Sequence, residues 1–308
     1  MAELPEKDFA PGRHQVLRDH LMSEIRRSGD PAPTPARASV RSNRLRPAFG
    51  AAAIAVTAAV TFVLLTPSGQ ETGARPPVQT AATLLEDIAL AAERDRTLGG
   101  IRDDQFLYVE SELAYTLHEK GRKARLDPVH RREVWRSVDG LHTGLLREDN
   151  HLGEIPLEPD LPLTESSMNY RTLQALPTDP EQMLRWLNRV SRGGESHDQN
   201  VFVQVGEMVQ ENVVPPAQSA ALYRAAARIP GVVVIPDAVD AAGRPGVAVA
   251  RVDDGERQEL IFDKDTKQLL GERLVAVEDL PGGQKKGEVT GSSAILERAV
   301  VDEPGRRP

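Results

Sequence analysis

Twenty consecutive uncharged residues, PAFGAAAIAVTAAVTFVLLT from Pro47 to Thr66, interrupt a chain of 308 residues that is 27% charged overall. As a helix rising about 1.5 Å per residue, this run covers about 30 Å, the thickness of a bilayer's hydrocarbon core. A helix is the form that lets one segment satisfy its own backbone groups in lipid. Pro47 opens the run, and its lipophilicity comes from Phe49, Ile54, Val56, Val60, Phe62, Val63, Leu64 and Leu65 rather than from its many alanines. Three other readings compete, the weakest a twin-arginine signal, since Arg26 and Arg27 lie twenty residues upstream of the run. A buried core helix is normally shorter and amphipathic, and is not flanked by Pro-rich polar tracts. A cleavable signal peptide starts near the first residue and ends at an A-x-A-like site, whereas 46 residues precede this run and PSGQETG follows it. The expectation is one uncleaved transmembrane helix. Arg37, Arg41, Arg44 and Arg46 crowd its amino side, which places that side in the cytoplasm and the carboxyl side beyond the plasma membrane. Ala51, Ala55 and Ala59 form a small-residue stripe of the kind that lets two helices pack into a homodimer.

The run divides the chain by charge. Residues 1–46 carry nine Lys and Arg against six Asp and Glu, and the remainder 29 against 40. An acidic distal part is poorly suited to nucleic acid, whose phosphates require a basic face. With no cysteine in the chain, disulfides and thiolate zinc sites are excluded. The organisation expected is a cytoplasmic tail over 1–46, the span over 47–66, a linker over 67–82, an extracytoplasmic domain over 83–303 and a disordered tail over 304–308. Within the first segment, Gly12 to Arg27 reads as a short amphipathic helix whose Leu17, Leu21 and Ile25 are candidate partner-binding residues. Residues 28–46 hold three prolines and read as a basic tether.

In the distal domain, Thr83 and Glu86 read as a capping box opening a helix with Leu84, Leu85 and Ile88 inward. Asp103 to Leu117 alternates as a half-buried strand, with Glu110, Glu112 and Thr116 outward. Strands are expected at Arg132–Val138 and His142–Glu148 around an Asp139-Gly140 turn. Helices are expected from Pro180, capped by Asp179, from Phe202 to Val213, and from Pro216 to Ile229. A meander then follows at Val232–Ile235, Gly246–Val252, Arg257–Phe262, Gln268–Val277 and Ala294–Val300. The fold class is α+β: a curved antiparallel sheet packed on helices, beyond a single transmembrane helix.

No phosphate loop, dinucleotide fingerprint, HExxH or GxSxG occurs in the chain. The seven histidines never stand at i, i+4, so neither a metal nor any other cofactor is expected. Ser196-His197-Asp198 holds triad residue types, but three neighbours in a GGESHDQN segment cannot face one another, and it reads as a polar loop. Trp135, Trp186, Phe106 and Tyr108 are read as core, with lining of a ligand cavity as the alternative. Nothing assigns a catalytic residue, and the chain reads as a non-enzymatic binding or sensing module.

The succession of a short basic start, one Ala-rich span, FLYVES, REVWRSVDG, SAALYRAAARIPGVVVIPDAVDAAGRPGVAVAR and RQELIFDKDTKQLLGER resembles an actinobacterial family of single-pass membrane proteins met beside extracytoplasmic-function sigma factors. The strand, helix and meander order is also similar to the half-barrels of periplasmic lipoprotein carriers and sigma-regulating sensors. The first resemblance implies regulation of a sigma factor, although the His and two Cys of zinc-containing anti-sigma domains are absent. The second implies a hydrophobic ligand, a lipid or an acylated peptide, held between the sheet and the helices over 179–190 and 216–229.

Overall fold

A computed structural model describes residues 79–117, 124–149, 153–164, 167–192 and 196–308. The expected span (Pro47, Phe49, Ile54, Val60, Phe62, Leu65) and the amphipathic segment with Leu17, Leu21 and Ile25 lie outside them. Among the described residues no helix is long and apolar enough to cross a membrane.

The described part is α+β, as the alternation of apolar residues implied. Helix α1 (Ala81–Arg94) is followed by strands β1 (Phe106–Leu117), β2 (Arg125–Leu126), β3 (His130–Ser137), β4 (Gly144–Glu148) and β5 (Gly153–Leu157). Helices α2 (Tyr170–Gln174), α3 (Pro180–Val190), α4 (His197–Glu211) and α5 (Pro216–Ala226) come next. The chain then returns as the meander β6 (Val233–Val239), β7 (Pro245–Asp253), β8 (Glu256–Phe262), β9 (Leu269–Ala276) and β10 (Val289–Val301). All strand pairs are antiparallel, and the order across the open sheet is β5-β4-β3-β1-β10-β9-β8-β7-β6, with β2 paired to β1 alone.

The helices cover one face. Leu84, Leu85 and Ile88 of α1, Met183 and Leu187 of α3, Phe202 and Val205 of α4 and Leu222 of α5 meet Val249, Leu260 and Phe262 in one buried core. Helix α4 reaches the sheet at Gly206, where a Cβ would stand 3.1 Å from Leu260 Cδ2. A side chain there would press on the Leu260 methyl, which would have to give by a few tenths of an ångström.

The opposite face has its own cover. Phe106, Tyr108, Trp135 and Val301 cluster there, and the Trp135 indole donates to the carbonyl of Arg306 at 2.6 Å. The Arg307 guanidinium grips Glu133 through Nε at 2.6 Å and Nη2 at 2.8 Å. Residues 304–308, expected as a disordered tail, are therefore part of the fold. With both faces covered, β1 is buried almost throughout, Glu110 and Thr116 included, and is not the half-wet strand its alternation suggested.

Other expectations are corrected in detail. Helix α1 is capped by Thr80, whose side chain accepts from the Thr83 amide at 3.2 Å, so the Thr83 capping box does not form. Asp179 caps α3 as expected, accepting from the amides of Glu181 and Gln182. Helix α4 begins five residues before the expected Phe202. Ser196 caps it and is itself anchored to Asp253, 2.6 Å from Oγ to Oδ1, so His197 and Asp198 form its first turn rather than a loop.

Candidate functional site

The site is built by two irregularities in β10. On β1, Leu107, Val109, Ser111 and Leu113 alternate onto the helix-covered face, and their β10 partners are Val300, Arg298, Ile295 and Ser293. The step from Ile295 to Arg298 is odd because Leu296 is an extra residue, a β-bulge opposite Glu110 and Ser111. A bulge reverses which face later residues occupy. Arg298, which would otherwise share the outer face with Glu110 and Glu133, is turned under the helices.

The second irregularity is a split in the sheet. Strand β10 pairs with β9 only from Val289 to Ser292, and beyond this the ladder between them stops. The Arg244 guanidinium fills the gap, donating to the carbonyls of Leu270 (2.9 Å) and Ile295 (2.8 Å), one on each strand. Asp240 holds that guanidinium from behind at 2.6 Å.

Above the split, the end of α1, the α4–α5 corner at Asn212–Pro216 and the β8–β9 turn at Thr266–Gln268 leave an open cleft of about 440 Å³. Its walls carry Leu98, Ile101, Val213, Val214, Leu269 and Ile295, with Tyr223 and Tyr170 at the sides. The turn is rigid: Asp263 accepts from the amides of Asp265 and Thr266, and Lys267 sits at φ 62°. Burial pushes the Tyr223 hydroxyl up to about 12.

Arg298 is the unbalanced group in this cleft. Its Nη2 donates to the Val209 carbonyl, while its Nε is buried with no hydrogen-bond partner. Among the described residues no carboxylate forms an ion pair with it. Burial holds its guanidinium below the ordinary arginine range, opposed only at longer range by Tyr223 and Asp95. Arg94, Arg244, Lys267 and Arg298 line the cleft against Asp95 and Glu297, a cationic excess in a domain that is acidic overall.

A second polar group lies beneath α4. Tyr115 and Gln258 donate to Glu272 at 3.1 and 2.5 Å, Gln199 donates to Gln258, and Arg251 to Gln199. Arg132 donates to both carboxylate oxygens of Glu211 at 2.6 and 2.7 Å. The cavity they enclose holds about 50 Å³, room for water rather than a substrate. Burial raises Glu272 above the usual carboxyl range.

The sequence-derived candidates distribute otherwise than expected. Trp135, Phe106 and Tyr108 lie on the outer face and Trp186 lies in the main core, so none of them lines the cleft. Helix α3, expected along the ligand path, contributes no wall, whereas Pro216, Ser219 and Tyr223 of α5 do. Ser196, His197 and Asp198 form no triad: Ser196 bonds Asp253, and His197 Nε2 lies 2.7 Å from Asn188 Oδ1. Ser137, Asp139 and His142 do meet, but Ser137 donates to Asp139 and both face the same ring nitrogen, which is a turn rather than a relay. No group of three His, Asp or Glu positioned to hold a metal occurs among the described residues. Sequence reasoning missed Arg298. Its one signal was the break in alternation in SAILERAVV, where Ile295 and Leu296 stand side by side before two charged residues.

No family model and no curated protein matches the sequence. Among solved structures, a crystal structure of MucB in complex with MucA(peri) aligns with 71% of this chain at 13% identity and a TM-score of 0.22. The chain spans about half, 55%, of the length of that MucB chain.

Proposed function

We propose that residues 79–308 form an extracytoplasmic, non-enzymatic binding or sensing domain, held on the outer face of the plasma membrane by the span at 47–66. Its ligand is hydrophobic, a lipid or an acylated peptide. The observation that carries this reading is the cleft above the β9/β10 split. Its volume, about 440 Å³, falls within the range of small-molecule sites, about 300–1,000 Å³, and its walls combine an aliphatic strip with charged side chains. The ligand lies against the α4–α5 corner and the end of α1, rather than along α3.

Solvent extraction of the full chain purified from its own membrane, followed by mass spectrometry, tests this. A stoichiometric acyl-chain compound, lost when Val213 and Val214 are replaced by Asp, is expected. A preparation free of such compounds and indifferent to added acyl chains overturns it. Membrane-impermeant labelling of intact cells tests the topology: Lys285 and Lys286, both exposed, are labelled if the domain lies outside.

A second reading, regulation of a sigma factor by the cytoplasmic tail, rests on the apolar spacing of Leu17, Leu21 and Ile25 in a basic segment. Copurification of a sigma factor with the full chain, abolished by Asp at those three positions, is the expected result.

A further inference from the structure

We infer that the cleft is selective for an anionic amphiphile, its oxyanion headgroup seated on Arg298 and its acyl chain laid along Val213, Val214 and Leu269. This rests on the proposed binding role and adds the headgroup chemistry.

Three independent features converge on Arg298. The bulge places it there: were Leu296 paired in regular alternation, the Arg298 side chain would sit on the outer face among the carboxylates of Glu110 and Glu133. Among the described residues no carboxylate forms an ion pair with it, and Asp95 acts on it only at longer range. Other arginines of this region are paired: Arg132 holds Glu211 with two short bonds, Arg251 meets Asp253, and Arg244 holds Asp240. Arg298 has a carbonyl on one side and a buried, unbonded Nε on the other. A cation left partly desolvated and unpaired is costly unless an anion completes it. An arginine donates to carboxylate or phosphate through two parallel N–H groups, so an oxyanion is the matching acceptor. Lys267 and Arg94 at the rim carry the same sign and extend the attraction outward. A free inorganic anion would leave the aliphatic wall uncovered, and a neutral lipid would leave Arg298 unpaired. An amphiphile with an acidic end satisfies both.

The test uses the full chain in phosphatidylcholine nanodiscs with two photoreactive probes of equal chain length, a diazirine hexadecanoic acid and the corresponding hexadecanol, and maps the crosslinked peptides. Expected is labelling of residues 209–216 and 266–270 by the acid at about tenfold lower concentration than by the alcohol, the scale of one charge-assisted contact. Arg298→Met should remove that preference, and Arg298→Lys should restore part of it. Millimolar inorganic phosphate should fail to displace the acid. Equal labelling by both probes in the native chain, or a preference that survives Arg298→Met, overturns the headgroup assignment and leaves the binding role intact. Displacement by phosphate alone overturns the amphiphile and makes the site one for free anions. Labelling of the cleft by neither probe removes both readings together.

Discussion

Arg307 and Glu133, 174 residues apart, are joined by two short hydrogen bonds that fasten the last described residues across β3. That bond, followed by those from Tyr108 and Arg147, pulls the Glu133 carboxyl down to about 2 from an ordinary 4.5.

The sign of the resulting pH dependence follows. A depressed carboxyl contributes stability that is complete above its unfolded value and disappears as the pH falls through its folded value, here between about 4.5 and about 2. Arg307→Ala lifts Glu133 toward its ordinary value. Acid titration followed by near-UV circular dichroism, which reports the adjacent Trp135, should show the variant unfolding at a higher pH than the native chain.

Glu272 runs in the opposite direction. Burial raises its pKa, so its charged form weighs against folding, and stability is lost as the pH rises from about 4.5 through the raised value. Glu272→Gln keeps the shape and a carbonyl acceptor for Gln258. The variant should melt higher than the native chain at pH 7, with the difference shrinking at pH 4.5; a lower melting temperature at pH 7 would contradict this account.

Gly271 stands where β9 turns away from β10. A Cβ there would lie 2.1 Å from the Ser293 carbonyl oxygen, and a main-chain atom cannot swing aside as a side chain can. Gly271→Ala should cost about 3 kcal/mol. In thermal unfolding that corresponds to a drop of about 6–12 °C for a domain of this size.

Phe202 is fully buried between α4 and the sheet. Phe202→Ala should cost about 3–5 kcal/mol by chemical denaturation, through lost burial and the cavity left behind. Arg298→Met, by contrast, should leave stability near native, because only one carbonyl bond is lost and an uncompensated charge is removed with it.

How much of this was legible in the sequence depended on the range of the interactions. Asp179-Pro180 announced α3 because cap and first turn lie within three residues. The meander was legible because Asp254-Gly255 and Asp263–Thr266 are self-contained turns. The first turn of α4 was hidden because its cap, Ser196, is held by Asp253, 57 residues away. The sequence pointed to Thr83 because Glu86 follows it at the capping-box spacing, whereas Thr80 takes the cap in the fold; their hydroxyls lie 2.8 Å apart in the same turn. Strand β5 carries a proline and a sparse apolar pattern, and forms because β4 offers it an edge. The cleft was least legible of all, since it requires one surplus residue in β10 and a guanidinium wedged between strands that the alternation alone would have paired.

The two rims of the sheet, β5 and β6, each contain a proline, Pro156 and Pro236. A ring nitrogen has no proton to offer an incoming backbone, so neither rim templates a neighbouring copy across its full length. Many such domains crowded side by side would therefore keep to themselves, and the open architecture that leaves room for a ligand does not also invite fibrils.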